Sequence, residues 1–218
     1  MSELEQQPIV EHLRELRTRL VRSLMAIFVG TCVAFYFSEI LFDFLREPIR
    51  AYLPMGGLVF TAPTDKFMAS LKIAVFGGVL FSCPVWLYQI WKFVAPGLYV
   101  NERRYTISFL VAGTILFLIG VSFAYFLAVP AAFHFLMTFG GDIDKPMITI
   151  DHYLGFLTTF LFMFGFAFEL PLVIVLLGMM GIVSQEFLRR NRRYIVVAIA
   201  AVSAVVTPPD IMSMVLLS

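Results

Sequence analysis

The stretch FGFAFELPL (164–172) contains a carboxylate at a position where a charged side chain is energetically unfavourable. Glu169 stands two residues before Pro171, inside one of the most apolar runs of the chain. A charged side chain at the middle of a membrane helix costs roughly 2.5–3.5 kcal/mol on insertion scales, and such residues usually mark functional sites. Because proline has no amide hydrogen for the carbonyl of Ala167, the pair predicts a polar, locally bent spot that faces a cavity or the bundle interior. The alternative is a structural role, in which a protonated Glu169 bonds the freed carbonyl or a neighbouring helix.

A second carboxylate, Glu15, lies in HLRELRTRL (12–20), a segment otherwise rich in arginine. Glu15 and Arg19 are four residues apart and can pair on a helix surface, which is worth only a few tenths of a kcal/mol. A helix that lies on an anionic membrane surface is expected to be basic, yet Glu11 and Glu15 are acidic. These acids therefore indicate either simple surface pairing or a site for a cationic partner.

The third carboxylate, Glu102, lies in FVAPGLYVNERR (93–104), a polar segment between two apolar runs. Asn101 or Glu102 can cap the helix that follows, and capping alone is sufficient to explain them. A guanidinium partner would also find in Glu102 a carboxylate suited to bidentate hydrogen bonds. Phe93 would then supply an adjacent apolar or stacking surface.

The remaining motifs point away from catalysis. TPPD (207–210) predicts a tight turn with Asp210 as the N-cap of the next helix. The sequence contains no Gly-rich phosphate loop, nucleophile elbow, HExxH or CxxC. The histidines lack metal-ligand spacing and the cysteines lie inside apolar runs, so we expect no enzyme, metal, cofactor or disulfide. These residues are His12, His134, His152, Cys32 and Cys83.

The composition describes the scaffold that must position these residues. Of 218 residues, 60% are hydrophobic and 14% are charged, whereas a soluble domain carries about 25% charged residues. Apolar runs of about 20 residues match the hydrocarbon thickness of a bilayer and predict transmembrane helices. We therefore predict an all-α membrane protein, a polytopic bundle of six transmembrane helices that forms a single integral domain over residues 1–218.

The predicted elements begin with an amphipathic cytoplasmic helix over residues 1–20, whose apolar positions share one face. The transmembrane helices are predicted at about 21–41, 67–94, 105–130, 152–181, 194–206 and 210–218. The fifth helix has about 13 residues, so at 1.5 Å per residue it reaches only about 20 Å and cannot cross ~30 Å of hydrocarbon without thinning the bilayer. The sixth run is shorter still, and we expect a partial helix there.

Lysine and arginine set the expected orientation. Eleven of the 16 lie in the N-terminal segment and in the segments around the ends of the second and fourth predicted helices. These segments are therefore predicted to be cytoplasmic, as is the N-terminus, and the alternate loops are predicted to be external.

Four segments taken in order resemble the TatC family, the multispanning component of the bacterial twin-arginine translocase. They are HLRELRTRL, APGLYVNERR, FGFAFELPL and VTPPD, and the resemblance runs from about residue 8 to the end. It implies a six-helix, glove-shaped protein with a concave face, located in the bacterial cytoplasmic (inner) membrane with both termini cytoplasmic. The family exports folded proteins with the proton-motive force, and TatC proteins recognise signal peptides with two consecutive arginines.

The resemblance also implies roles for single residues. Those expected to bind the signal peptide are Glu15, Arg17, Phe93 and Glu102. The intramembrane polar site in the concave face is Glu169, the expected structural residues are Pro48 and Pro171, and the expected turn or partner contacts are Thr207 and Asp210. The family pattern LTPPDxxSQ reads VTPPDIMSM here, with Val206 in place of leucine and Met214 where many relatives have glutamine, so a polar partner contact at position 214 is not expected.

The implied partners are twin-arginine signal peptides of folded cargo, TatA-like and TatB-like single-helix subunits near the fifth and sixth helices, membrane lipids and further copies of the chain. No nucleic acid and no cofactor are implied. From the residues alone, two other functions stay open. A proton-coupled secondary transporter with Glu169 as proton relay would show inverted repeats or two broken helices, for which Pro84 and Pro171 are the nearest candidates. An intramembrane enzyme would need a nucleophile and a base at helical spacing, and none stands out.

Overall fold

The computed structural model describes residues 3–52, 57–94, 106–138 and 147–179, and six further positions between 181 and 193. The predicted helices at 194–206 and 210–218 lie outside the described residues. Within these limits the regular structure is helical, apart from one isolated β-bridge. The predicted all-α class is therefore confirmed.

The described helices account for up to four membrane spans. In chain order they are α1 (Glu3–Tyr36), α2 (Ser38–Arg46), a 3-10 helix (Glu47–Tyr52), α3 (Asp65–Phe81), α4 (Cys83–Val94), α5 (Thr106–Phe123), a π-helical turn (Ala124–Ala128), α6 (Val129–Thr138) and α7 (Ile150–Met179). Three stretches are long and apolar enough to cross a membrane, namely Val10–Tyr36, Ile107–Thr138 and Ile150–Met179. α3 and α4 add a fourth span if they are counted as one bent helix.

The first helix is longer than the sequence pattern predicts. Where we expected a helix over 1–20 and a separate one over 21–41, α1 continues as a single helix through the junction. No glycine or proline lies between Pro8 and Gly30, so nothing ends the helix where its polar half meets its apolar half. The predicted N-terminal helix and the start of the first span are thus one rigid element.

The helix predicted at 67–94 is bent by 56° between α3 and α4. Pro84 lies just after the break, where its ring and its missing amide hydrogen disrupt the backbone ladder. The indole N–H of Trp86 donates to the carbonyl of Val79 at 3.0 Å. A break inside a membrane span needs such replacement donors, because lipid offers none.

α5 and α6 form one span that passes the end predicted at residue 130. Pro130 lies in α6, directly after the π-helical turn. A π turn is wider than an α turn, so it makes room for a ring that would otherwise meet the carbonyl four residues earlier. The helix therefore continues to Thr138.

Two helix crossings are made by small residues. A β-carbon added to Gly30 of α1 would lie 2.7 Å from the carbonyl oxygen of Gly78 in α3, and one added to Gly78 would lie 2.5 Å from the backbone nitrogen of Thr31. α5 meets α7 in the same way at Gly120, whose added β-carbon would lie 2.6 Å from the carbonyl oxygen of Phe164. Membrane helices associate through such close backbone packing, since lipid removes the hydrophobic drive between them.

The end of α2 is tied to later helices by two tyrosines. Pro48, in the 3-10 helix, has no amide hydrogen, so the carbonyl of Phe44 loses its usual α-helical donor. The hydroxyl of Tyr125 donates to this carbonyl at 2.5 Å, and the hydroxyl of Tyr153 donates to the carbonyl of Leu45. These bonds fix the end of α2 against the later helices, and the structural role expected for Pro48 stays a prediction.

The segments that precede α3 and α7 lie side by side. The amide of Val59 donates to the carbonyl of Ile148, and the amide of Ile150 donates back to Val59, both at 3.0 Å. The ammonium of Lys72 lies 2.5 Å from a carboxylate oxygen of Asp151. The starts of these two helices are therefore held together at one end of the bundle.

Candidate functional site

The carboxylate of Glu15, in the N-terminal part of α1, forms an ion pair. Glu15 lies on α1 with 37% of its side chain exposed, and Nη2 of Arg19 donates to its Oε1. Nδ1 of His12 lies 4.0 Å from its Oε2. Spacings of i, i+4 and i, i+3 bring side chains together on a helix surface, so α1 alone positions all three groups.

Phe93, near the end of α4, packs against the same part of α1. Its ring stacks on the imidazole of His12, with centroids 4.5 Å apart and an angle of 22° between the rings. This contact brings two predicted binding residues, Glu15 and Phe93, to one surface with His12 between them. From the sequence His12 is considered only as a metal ligand, but its three-residue spacing from Glu15 is a signal that places both side chains on one surface of α1.

Arg19 is the most enclosed side chain of the Glu15 ion pair, with 11% exposed. Its Nη1 is buried and has no hydrogen-bond partner among the described residues. A guanidinium carries five N–H donors, so the pair with Glu15 satisfies only part of this group. We refer to His12, Glu15, Arg19 and Phe93 as the acceptor cluster.

The other predicted binding residues do not join this cluster in the described part of the chain. Arg17 is exposed and lies two positions from Glu15, a spacing that places the two side chains on different faces of α1. Glu102, Thr207 and Asp210 lie outside the described residues. The structure therefore joins two of the four predicted signal-peptide residues.

Glu169 is buried inside α7, with 8% of its surface exposed. Its carboxyl lies against α5 at Gly113, where an added β-carbon would be 3.2 Å from Oε2 and 3.4 Å from Oε1. The missing side chain at Gly113 leaves the space that this carboxyl fills. Oε1 is buried without a hydrogen-bond partner within the residues that the structure describes. Glu169 therefore faces the neighbouring helix as an incompletely satisfied polar group.

Pro171 does not interrupt α7, which continues from Ile150 to Met179. The ring occupies an exposed position on the helix surface. Because lipid contains no water to take up free backbone groups, the rest of the helix keeps its hydrogen bonds past the missing one. The polar spot at Glu169 thus lies in a continuous helix rather than beside a break.

A cavity of about 640 Å³ lies at the other end of the bundle, beside α2 and α3. Its charged lining consists of Glu39, Asp43, Arg46, Arg50 and Lys66, so the bases outnumber the acids, and it contains neither Glu15 nor Glu169. Among the described residues, no group of three His, Cys, Asp or Glu side chains could hold a metal ion. The acceptor cluster and the buried carboxyl of Glu169 are therefore the two candidate binding sites for a cationic peptide or an entering helix.

Known proteins are similar to this chain over almost its whole length. Residues 11–218 match the family described as Sec-independent protein translocase protein (TatC). The TatC proteins of Desulforapulum autotrophicum and Escherichia coli K12 are 40% and 38% identical, over 99% and 100% of this chain and 80% and 85% of their own lengths.

Solved structures agree with the sequence relatives. A crystal structure of the twin arginine translocase receptor TatC superposes with a TM-score of 0.81 at 36% identity, covering 94% of this chain and 91% of that one. A second crystal structure of the receptor, in DDM, gives a TM-score of 0.82. The chain belongs to the TatC family and is a multi-pass membrane component of a Sec-independent, twin-arginine protein translocase.

Proposed function

We propose that this chain is the receptor for the twin-arginine signal peptides of folded cargo proteins, at the cytoplasmic face of the bacterial inner membrane. Glu15 and Glu102 accept the two guanidinium groups, and Phe93 and Arg17 border the site. The observation that carries the proposal is that the carboxylate of Glu15 is already bonded to a guanidinium, that of Arg19. The position thus has the geometry and charge that an arginine ligand requires.

The chemistry of the acceptor cluster suits an arginine-rich peptide. Carboxylate–guanidinium bonds are charge-assisted and directional, which favours arginine over lysine. Glu15 is half-buried, so its charge is less screened than that of a fully exposed acid. The stacked rings of His12 and Phe93 form an adjacent flat surface, on which a guanidinium can also stack.

The contact between α1 and α4 supports a common face for the two acids. The segment that carries Glu102 follows α4 directly, and the end of α4 touches α1 through Phe93 and His12. The excess of arginine in these same segments favours the cytoplasmic side. The proposal therefore places the N-terminus in the cytoplasm.

After docking, the apolar part of the signal peptide moves along the bundle toward Glu169. The buried, incompletely bonded carboxyl there is a polar contact for an entering helix. TatA-like and TatB-like subunits are proposed to pack near residues 194–206 and 210–218, for which the sequence predicts short helices that would thin the bilayer and lower the barrier to cargo driven by the proton-motive force. Further copies of the chain complete the receptor complex.

The test measures binding of a signal peptide with two arginines to the chain in lipid nanodiscs. Glu15→Gln and Glu102→Gln should each weaken binding by about 10-fold to 100-fold, because a hydrogen bond to a charged group contributes about 1.5–3 kcal/mol. Replacing the peptide's arginines by lysine should weaken binding to the unchanged chain in the same way.

Glu39→Gln is the matched control, since it removes an exposed acid from α2, away from the acceptor cluster. It should leave the peptide's Kd unchanged. Unchanged binding by the Glu15→Gln, Glu102→Gln double variant, with its helical circular dichroism intact, would remove the docking proposal.

A further inference from the structure

The guanidinium that bonds Glu15 belongs to the chain itself. Arg19 occupies Oε1 of the carboxylate that the proposed function assigns to a peptide arginine. A carboxylate has few strong acceptor positions for a guanidinium in bidentate geometry. A peptide arginine and Arg19 therefore compete for the same acceptor.

We propose that Arg19 is an intramolecular competitor that closes the acceptor cluster in the unloaded receptor. The inference rests on the proposed function and adds a regulatory residue to it. A signal peptide binds only if it displaces Arg19 from Glu15. Peptide segments with little positive charge cannot displace Arg19 and therefore do not bind. Arg19 thus sets an affinity threshold for cargo.

The geometry of the pair is suited to such a reversible closure. Glu15 and Arg19 stand one turn apart on the same helix, so the pair forms without ordering any other segment. The pair is also incomplete, because Nη1 of Arg19 is buried without a partner in the described part of the chain. A buried donor without a partner weakens the closed state relative to a fully bonded one. An incoming guanidinium that bonds both carboxylate oxygens can therefore replace Arg19.

His12 contributes to the same closed arrangement. Its Nδ1 lies 4.0 Å from the second oxygen, Oε2, of Glu15, and Phe93 holds its ring in place by stacking. In the closed state, each carboxylate oxygen thus faces a nitrogen of the chain itself. A bidentate ligand must displace Arg19 and take the oxygen beside His12.

Peptide binding to single and double variants tests the inference. Arg19→Gln should tighten binding of the two-arginine peptide by about threefold to fivefold, which corresponds to the upper range of about 1 kcal/mol measured for partly exposed ion pairs. In the Glu15→Gln background, Arg19→Gln should change nothing, since the contested acceptor is gone. A purely structural Arg19 would instead weaken binding when removed.

Arg14→Gln is the charge-matched control, because it removes one guanidinium from the same part of α1, and the exposed Arg14 forms no ion pair with Glu15 among the described residues. It should tighten binding less than twofold through long-range electrostatics alone. If Arg19→Gln binds the peptide no more tightly than Arg14→Gln does, the competitor role of Arg19 is refuted. If Glu15→Gln itself leaves binding unchanged, the proposed function fails; if only Arg19→Gln lacks its effect, the closure alone fails.

Discussion

Replacing Gly78 by alanine should destabilise the crossing of α1 and α3, although alanine is the better helix former. The added β-carbon would lie 2.3 Å from the hydroxyl oxygen of Thr31 and 2.5 Å from its backbone nitrogen. The hydroxyl can rotate away, but the backbone nitrogen cannot. Only a displacement of one helix from the other relieves the contact.

The size of the effect follows from these distances. Ordinary contact begins near 3.4 Å and the backbone contact is 2.5 Å, so the helices must separate locally by about 0.9 Å. A gap of that size forfeits a quarter to a half of the dispersion energy between the facing atoms. Overpacking of this kind costs about 1–3 kcal/mol, and the higher helix propensity of alanine returns up to about 1 kcal/mol. We expect a net loss of up to about 2 kcal/mol relative to the unchanged chain.

The assay measures the free energy of reversible unfolding in mixed detergent micelles. Tryptophan fluorescence monitors the unfolding. Trp86 and Trp91 are buried on α4, which packs beside α1, so they report on this region. Gly155→Ala is the control, because an added β-carbon there meets no atom within 4 Å. It should be neutral or stabilising. A Gly78→Ala variant at least as stable as Gly155→Ala would refute the argument that backbone contact holds α1 against α3.

Two further predictions concern buried polar groups. Tyr153→Phe removes the hydroxyl that donates to the carbonyl of Leu45 and should lower the free energy of unfolding by about 1 kcal/mol. Tyr36 is exposed, so Tyr36→Phe should leave the free energy of unfolding unchanged. Equal stability of the two variants would contradict this prediction. Glu169→Ala should change photocrosslinking between α7 and a signal peptide deep in the membrane, while Glu169→Gln, which keeps the shape, should fold normally. Identical crosslinking in both variants and in the unchanged chain would leave Glu169 a structural residue.

The elements that follow from local pattern could be predicted from the sequence. Long apolar runs gave the spans, and the spacing of Glu15 and Arg19 gave their pair, because both depend on neighbours along one helix. The positions of the helix ends were harder to predict from the sequence. The continuation of α1 past residue 20 and of α6 past Pro130 depends on the absence of a stop signal and on a π-helical turn, and neither is visible in periodicity.

Contacts between helices could not be read from the sequence. The stacking of His12 on Phe93 joins residues far apart in the chain, and the place of Glu169 against Gly113 depends on how α5 meets α7. Membership of the TatC family, rather than any single residue, decides between a translocase component and the proton-coupled transporter or intramembrane enzyme that the sequence left open.

Because α1 is one uninterrupted helix, a movement at one of its ends is transmitted to the other. Glu15 and the Gly30 crossing lie on one rod, 15 residues apart, which is about 22 Å along the axis. The backbones of α1 and α3 are in close contact at Gly30 and Gly78, so a tilt of α1 that keeps this contact turns about the crossing. A tilt of about 5° at this crossing moves the Glu15 end of α1 by about 2 Å, so under the proposed function peptide docking at Glu15 and the packing of the first span are coupled.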